Sequence, residues 1–187
     1  HVETTLARRQ LHLPQSGKMV LIMSGSIGCG PMIQMAMKLL RRLPRDAFVV
    51  VICGKNKGDL KDLRRIARYR DRLYPVGFTD RMDLYYSAAD VAIGKPGGLS
   101  CTELAQKEVP TVLMLSVPGC ESRNLEFFTR YGMALGSENV REAIKAVRHL
   151  LGNDALRTHM TAAQRTLPHG VTSAIADLIE KGVPPQE

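Results

Sequence analysis

Short runs of contiguous apolar residues alternate along this chain with longer segments whose apolar positions recur three and four residues apart. The first kind reads as a strand buried on both faces, the second as an amphipathic helix. Residues 19–23 (Met-Val-Leu-Ile-Met) predict a buried strand, followed by a glycine turn and a helix with Ile33, Ala36, Met37 and Leu40 on one stripe, closed by Pro44. Residues 48–53 predict a second strand ending in Gly54-Lys55-Asn56, and Leu60, Leu63, Ile66 and Ala67 form the next helical stripe. A brief strand is predicted at 73–76, then a short helix through Ser87 capped by Asp80, whose carboxylate could take one of the first unpaired N–H groups. Further strands are predicted at 91–94 and 111–115, with a marginal one around Leu135. Helices are predicted from about Ser100 and at 121–131, 139–151, 154–166 and 172–181.

Strand and helix alternating this regularly imply a parallel sheet with right-handed crossovers and helices on both faces. The predicted fold class is α/β, a Rossmann-like doubly wound parallel sheet with extra C-terminal helices. The chain, 1–187, reads as a single domain with its core at about 19–165, a final helix near 171–182 and a flexible tail at 183–187. There is no internal repeat and no low-complexity tract.

Composition narrows the functional classes. A chain of 187 residues suits one sizeable core, and 44% hydrophobic with 24% charged residues is ordinary for a globular domain. No run approaches the roughly 20 apolar residues needed to cross a bilayer. The first residues do not form a charged segment followed by an apolar one, so no secretory signal is expected. Cys29, Cys53, Cys101 and Cys120 are far apart, which predicts free, mostly buried thiols and no metal site. Net charge is +8, and between Lys55 and Arg72 eight basic residues face three acidic ones. That stretch is either a solvated helix face laced with i,i+4 pairs or a surface for phosphate or an anionic membrane. Aromatic residues make up only 5% of the chain, too few to supply a stacking platform, so no nucleic-acid partner is expected.

The turn after the first strand is Gly25-Ser26-Ile27-Gly28-Cys29-Gly30. Glycines let a phosphate approach the backbone without meeting a β-carbon, and the following helix offers free N–H groups and a partial positive charge. The spacing is GxxGxG, which meets neither the dinucleotide fingerprint nor the Walker pattern. After the second strand, where a ribose-binding acid would mark an NAD site, stands Lys55. An NADP site using Lys55, or a turn that only packs helix on sheet, are the alternatives at this point. A second glycine turn, Gly94-Lys95-Pro96-Gly97-Gly98, leads from strand to helix on the same sheet edge and is followed by Glu103. A carboxylate in the first turn of that helix would be favoured by the helix dipole and could accept two hydrogen bonds from a vicinal diol such as ribose. A helix-capping acid is the plainer reading. Together the two turns and the acid describe a nucleotide pocket.

Four segments carry a resemblance: residues 23–31 (Met-Ser-Gly-Ser-Ile-Gly-Cys-Gly-Pro), 53–56 (Cys-Gly-Lys-Asn), 95–103 (Lys-Pro-Gly-Gly-Leu-Ser-Cys-Thr-Glu) and 117–124 (Val-Pro-Gly-Cys-Glu-Ser-Arg-Asn). They resemble the C-terminal, nucleotide-sugar-binding domain of GT-B glycosyltransferases of the monogalactosyldiacylglycerol synthase and processive diacylglycerol glucosyltransferase type. The resemblance implies an inverting transfer of a hexose from a UDP-sugar donor to a lipid acceptor such as diacylglycerol, with no cofactor beyond the donor. It implies that Glu103 holds the ribose and that Gly25, Ser26 and Gly28 border the diphosphate and the sugar. Phe78 and Thr79 would border the uracil, Lys95, Gly97 and Gly98 the phosphates, and Glu121 and Asn124 the sugar hydroxyls. Lys55, in the second matched segment, joins the same set. Cys120 departs from the glutamine usual at that place in the family. In these families the general base and the acceptor groove belong to an N-terminal domain not included in this chain, so the chain alone is expected to bind donor without efficient turnover. A cytoplasmic location with peripheral attachment to an anionic membrane follows from the same likeness. A UDP-sugar epimerase of the same fold, an NADP-dependent oxidoreductase domain and a non-catalytic nucleotide-binding module remain as alternatives.

Overall fold

Met19–Met23 and Phe48–Ile52 are buried at every position, the condition of strands covered on both faces. The computed structural model describes residues 3–23, 25, 30–114 and 120–167, the side chain of Cys120 excepted. Within it, β1 (Met19–Met23), β2 (Phe48–Ile52), β3 (Leu73–Val76), β4 (Val91–Gly94), β5 (Thr111–Met114) and β6 (Leu135–Ser137) form one sheet in the order β3-β2-β1-β4-β5-β6. All neighbouring pairs are parallel, with Met19 opposite Phe48 on one side of β1 and Val20 opposite Val91 on the other. The described helices are α1 (Thr4–Gln10), α2 (Met32–Leu40), α3 (Lys57–Ala67), α4 (Met82–Ala88), α5 (Gly98–Gln106), α6 (Cys120–Arg130), α7 (Val140–Leu151) and α8 (Asp154–Gln164).

Strand side chains alternate between two layers, as the pleat requires. Val20, Ile22, Val49, Val51 and Ile93 pack with Met35 and Leu39 of α2, Leu63 of α3 and Val147 of α7. Met19, Leu21, Val50, Ile52 and Ala92 face the other way, against Ala7 of α1, Leu84 and Tyr85 of α4 and Leu104 of α5. A third cluster joins Cys101 and Ala105 of α5 to Leu113 and Phe128. Strand order reverses between β1 and β4, and the crevice beyond their carboxyl ends is where such a sheet receives ligands.

Several sequence expectations need correction. Helix α1 is not foreshadowed by any apolar stripe; it is held by Arg8, which is only 4% exposed. Arg8 donates from Nε to the Ala88 carbonyl (3.1 Å), from Nη1 to the Gly17 carbonyl (2.9 Å) and from Nη2 to Asp90 Oδ2 (2.8 Å). Asp90 also accepts from Lys18 Nζ at 2.9 Å and the Met19 N–H at 2.8 Å, and the Arg8 guanidinium lies 5.3 Å from the Phe48 ring centre. Asp80 does not cap the helix that follows: α4 has Arg81 at its N-cap without a side-chain bond, while the Thr79 hydroxyl accepts from the Arg81 N–H at 3.1 Å. The hydroxyl completes the turn and the helix starts too late for Asp80 to serve it. The buried stripe of α2 is Met32, Met35, Ala36, Leu39 and Leu40, one position round from the expected set, leaving Ile33 and Met37 half-buried.

Boundaries shift by a residue or two elsewhere, as helix and strand ends do. Strand β2 stops at Ile52, α6 begins at Cys120 and ends at Arg130, and α8 ends at Gln164. Asn139 and Asn153 cap α7 and α8, accepting from the Glu142 and Leu156 N–H groups. Leu115, the helix expected near 171–182 and the tail 183–187 lie outside the described residues.

Candidate functional site

A cavity of about 490 Å³ opens at the carboxyl edge of the sheet, at the β1–β4 reversal. Met23 at the end of β1 and Gly25 after it border the cavity, as do Ile52 at the end of β2, Gly54 after it, and Phe78 and Thr79 after β3. Lys95, Gly97 and Gly98 border it after β4, and Tyr86 and Glu103 close it from α4 and α5. Thus the first and second glycine turns and Glu103, read separately in the sequence, share one space.

Gly25 has φ +75°, a left-handed conformation that side chains rarely adopt. A β-carbon there would stand 3.0 Å from Lys95 Cε, so Gly25 leaves close room for the lysine stem. Lys95 reaches Glu121 Oε1 at 2.7 Å, and Asn124 Nδ2 donates to the Pro96 carbonyl at 2.9 Å. The start of α6 therefore grips the β4–α5 turn at two successive residues. Glu121 and Asn124 stand beside that turn and not among the residues bordering the cavity. Gly97 precedes α5, no side chain caps this helix, and its opening turn borders the cavity. Such a helix start is receptive to an anion.

Helix α5 begins at Gly98, not near Ser100, so Glu103 lies in its second turn. Neither a cap nor a first-turn dipole accounts for this carboxylate. Its partner is Tyr86, whose hydroxyl donates to Glu103 Oε2 at 2.8 Å. Glu103 is itself exposed to the cavity. Tyr86 was not singled out in the sequence, nor was Leu99, 83% exposed on the same rim. Leu99 had one signal, an apolar residue directly after paired glycines; Tyr86 had none. Phe78, 65% exposed, lies on the rim under Lys55, whose ammonium is 5.9 Å from the ring centre. Lys55 stands outside the cavity proper. Ser26 and Gly28 lie outside the described residues.

The described lining offers groups suited to holding a polar, anionic ligand. Among the described residues bordering the cavity, Glu103 is the one carboxylate, Lys95 the one cation, and none is histidine. Cys101 is buried on α5, and burial followed by the charge of Glu121 pushes its thiol up to about 12. Cys53, buried beyond β2, is pushed up to about 11, again mainly by burial. Both thiols stay protonated near neutral pH and are poor nucleophiles.

Residues 19–124, more than half of the chain, match the profile of the glycosyltransferase family 28 C-terminal domain. A processive diacylglycerol beta-glucosyltransferase of Bacillus pumilus is 30% identical over 174 residues, which are 90% of this chain and 45% of that protein. The chain thus spans about half the length of the curated relatives it matches. MurG of Acinetobacter baumannii superposes with a TM-score of 0.70 at 21% identity, over 89% of this chain and 53% of that one. MnaA of S. aureus, solved with UDP, superposes with a TM-score of 0.71 at 18% identity, over 93% of this chain and 47% of that one. The architecture is accordingly that of one half of a GT-B glycosyltransferase. A match of this extent places the chain: it belongs to the glycosyltransferase family 28 C-terminal domain family.

Proposed function

We propose that this chain is the donor-binding domain of an inverting glycosyltransferase that passes a hexose from UDP to a lipid acceptor such as diacylglycerol. The observation that carries the reading is the single cavity bordered by Gly25, Gly97, Gly98, Lys95 and Glu103 at the sheet reversal. Glu103 accepts from the ribose hydroxyls, and Phe78 and Thr79 border the uracil, with Lys55 above the Phe78 ring. The diphosphate lies between the Gly25 turn and the opening of α5, beside Lys95. Ser26 and Gly28 are assigned to the diphosphate and sugar by the family likeness, and Glu121 and Asn124 of α6 to the sugar hydroxyls.

In the reaction, the acceptor oxygen bonds to the anomeric carbon as the bond from that carbon to the UDP oxygen breaks. Negative charge then builds on the leaving diphosphate, where fixed N–H groups and Lys95 stabilise it without reorganising. The proton of the acceptor hydroxyl needs a base. With no second carboxylate or histidine among the described cavity residues, that base is assigned to the part of the longer enzyme beyond this chain. The relatives named as diacylglycerol glucosyltransferases and the UDP-bound neighbour support the donor-binding reading. Calorimetric titration checks it: UDP is expected to bind about tenfold or more tightly than CDP, and NADPH not measurably. Tighter binding of NADPH would replace the reading with an oxidoreductase domain.

The same reading places the protein at an anionic membrane surface. Lys61, Arg64 and Arg65 lie at i, i+3 and i+4 on α3, Arg68 follows at i+7 as its C-cap, and all four are exposed. Arg41 and Arg42, in the turn after α2, and Arg141, Lys145 and Arg148 of α7 are exposed as well. Among the described residues, Asp62 and Arg65 form an ion pair on this α3 stripe at 3.5 Å, three residues apart and not the expected four. No described helix is long and apolar enough to cross a membrane. Each basic residue near an anionic bilayer is worth about 1 kcal/mol. Sedimentation with phosphatidylglycerol vesicles is expected, and replacing the four α3 residues by Glu should abolish it while UDP affinity stays constant. Equal binding to neutral phosphatidylcholine vesicles would remove the electrostatic account.

A further inference from the structure

Tyr86 sits where two requirements meet. Its ring belongs to the core beneath α4, leaving the residue only 4% exposed, yet its hydroxyl emerges at the cavity wall. There it donates to Glu103 Oε2 at 2.8 Å. Glu103, by contrast, is an exposed side chain with three rotatable bonds, and among the described residues its side-chain hydrogen bond is the one from Tyr86. A flexible carboxylate reads a diol poorly, because its rotamers must be restricted each time the ligand binds.

We propose that Tyr86 is the positioning residue of the nucleotide site: it fixes the Glu103 carboxylate so that its remaining lone pairs accept both hydroxyls of a ribose diol. The inference rests on the assignment of Glu103 to ribose and adds the device that makes it selective. An ionised carboxylate has about four acceptor sites over its two oxygens. One is taken by Tyr86, and the remainder suit a vicinal diol. The bond is charge-assisted, of the strong O–H to carboxylate kind. Burial first, and then the bond to Glu103, push the Tyr86 hydroxyl well above the usual tyrosine range, so it remains a donor throughout the physiological range. The site therefore takes ribonucleotides and disfavours nucleotides without the diol.

The test is calorimetry on the full chain with UDP and 2′,3′-dideoxy-UDP, for wild type, Tyr86→Phe, Glu103→Asp and Glu103→Ala. Tyr86→Phe is expected to weaken UDP roughly five- to tenfold and to leave dideoxy-UDP unchanged, since the lost bond acts only through the diol. Glu103→Asp keeps the charge but withdraws it from the tyrosine, and should show the same selective loss. Combining Tyr86→Phe with Glu103→Ala should cost no more than Glu103→Ala alone. Equal losses on both nucleotides in Tyr86→Phe would mean that the hydroxyl only supports packing, and the proposal would fall. A weakened Glu103→Ala beside an unaffected Tyr86→Phe would sink the tyrosine's role while sparing the ribose assignment. Unchanged UDP affinity in Glu103→Ala would overturn both.

Discussion

Glu103→Ala is expected to weaken UDP binding by roughly 100-fold, an effect of about 2.7 kcal/mol. Hydrogen bonds to a charged group contribute about 1.5–3 kcal/mol each, and two from the ribose diol would end on this carboxylate. Because Glu103 is exposed, water partly replaces the lost bonds, which keeps the expectation below the full sum. Fold stability should hardly move. The residue lies in the second turn of α5, where alanine is the better helix former, and the Tyr86 hydroxyl is left at a wet cavity wall. Titration of UDP into both proteins, with a melting curve for each, gives the answer. An affinity within twofold of wild type would end the ribose assignment.

The second large effect is on stability. Arg8→Ala should lower it by about 3 kcal/mol, since removing one partner of a buried pair is costly. The loss has distinct parts: the carbonyls of Ala88 and Gly17 lose their donors, and the Phe48 ring loses its cation. Asp90 is spared the worst, because Lys18 and the Met19 N–H still bond to it. For a chain of this size each kcal/mol moves Tm by about 2–4 °C, so a fall of roughly 10 °C is expected. Arg8→Lys retains charge but cannot span three acceptors, and should recover only part of the loss. A change below about 2 °C in Arg8→Ala would mean that α1 is dispensable to the fold.

How far the sequence could be read follows from what each element depends on. Strands such as Met19–Met23 and Phe48–Ile52 are written as contiguous apolar runs because both faces of the sheet are covered, so their existence and order were legible. The gathering of both glycine turns and Glu103 at one edge followed from that order. Helix α1 was not legible, since Thr4–Gln10 lacks an apolar stripe and depends on bonds from Arg8 to residues 17, 88 and 90. Asp80 misled because a capping acid and a turn hydroxyl one residue earlier look equally apt in a sequence. Tyr86 was invisible for a related reason: adjacent tyrosines on a helix read as core, and nothing local marks the one whose hydroxyl meets an acid 17 residues away.

The central place of β1 has a consequence for how the domain is made. One edge of β1 pairs with β2, which follows soon after it, while the other must wait for β4. As the nascent chain leaves the ribosome, β1 to β3 can assemble into a half-sheet whose open side shows bare peptide groups and the apolar row of Val20, Leu21 and Ile22. Unpaired edges of that kind recruit other chains, and delayed long-range pairing slows folding. The strand that completes the cavity is thus also the one that seals the young protein against aggregation.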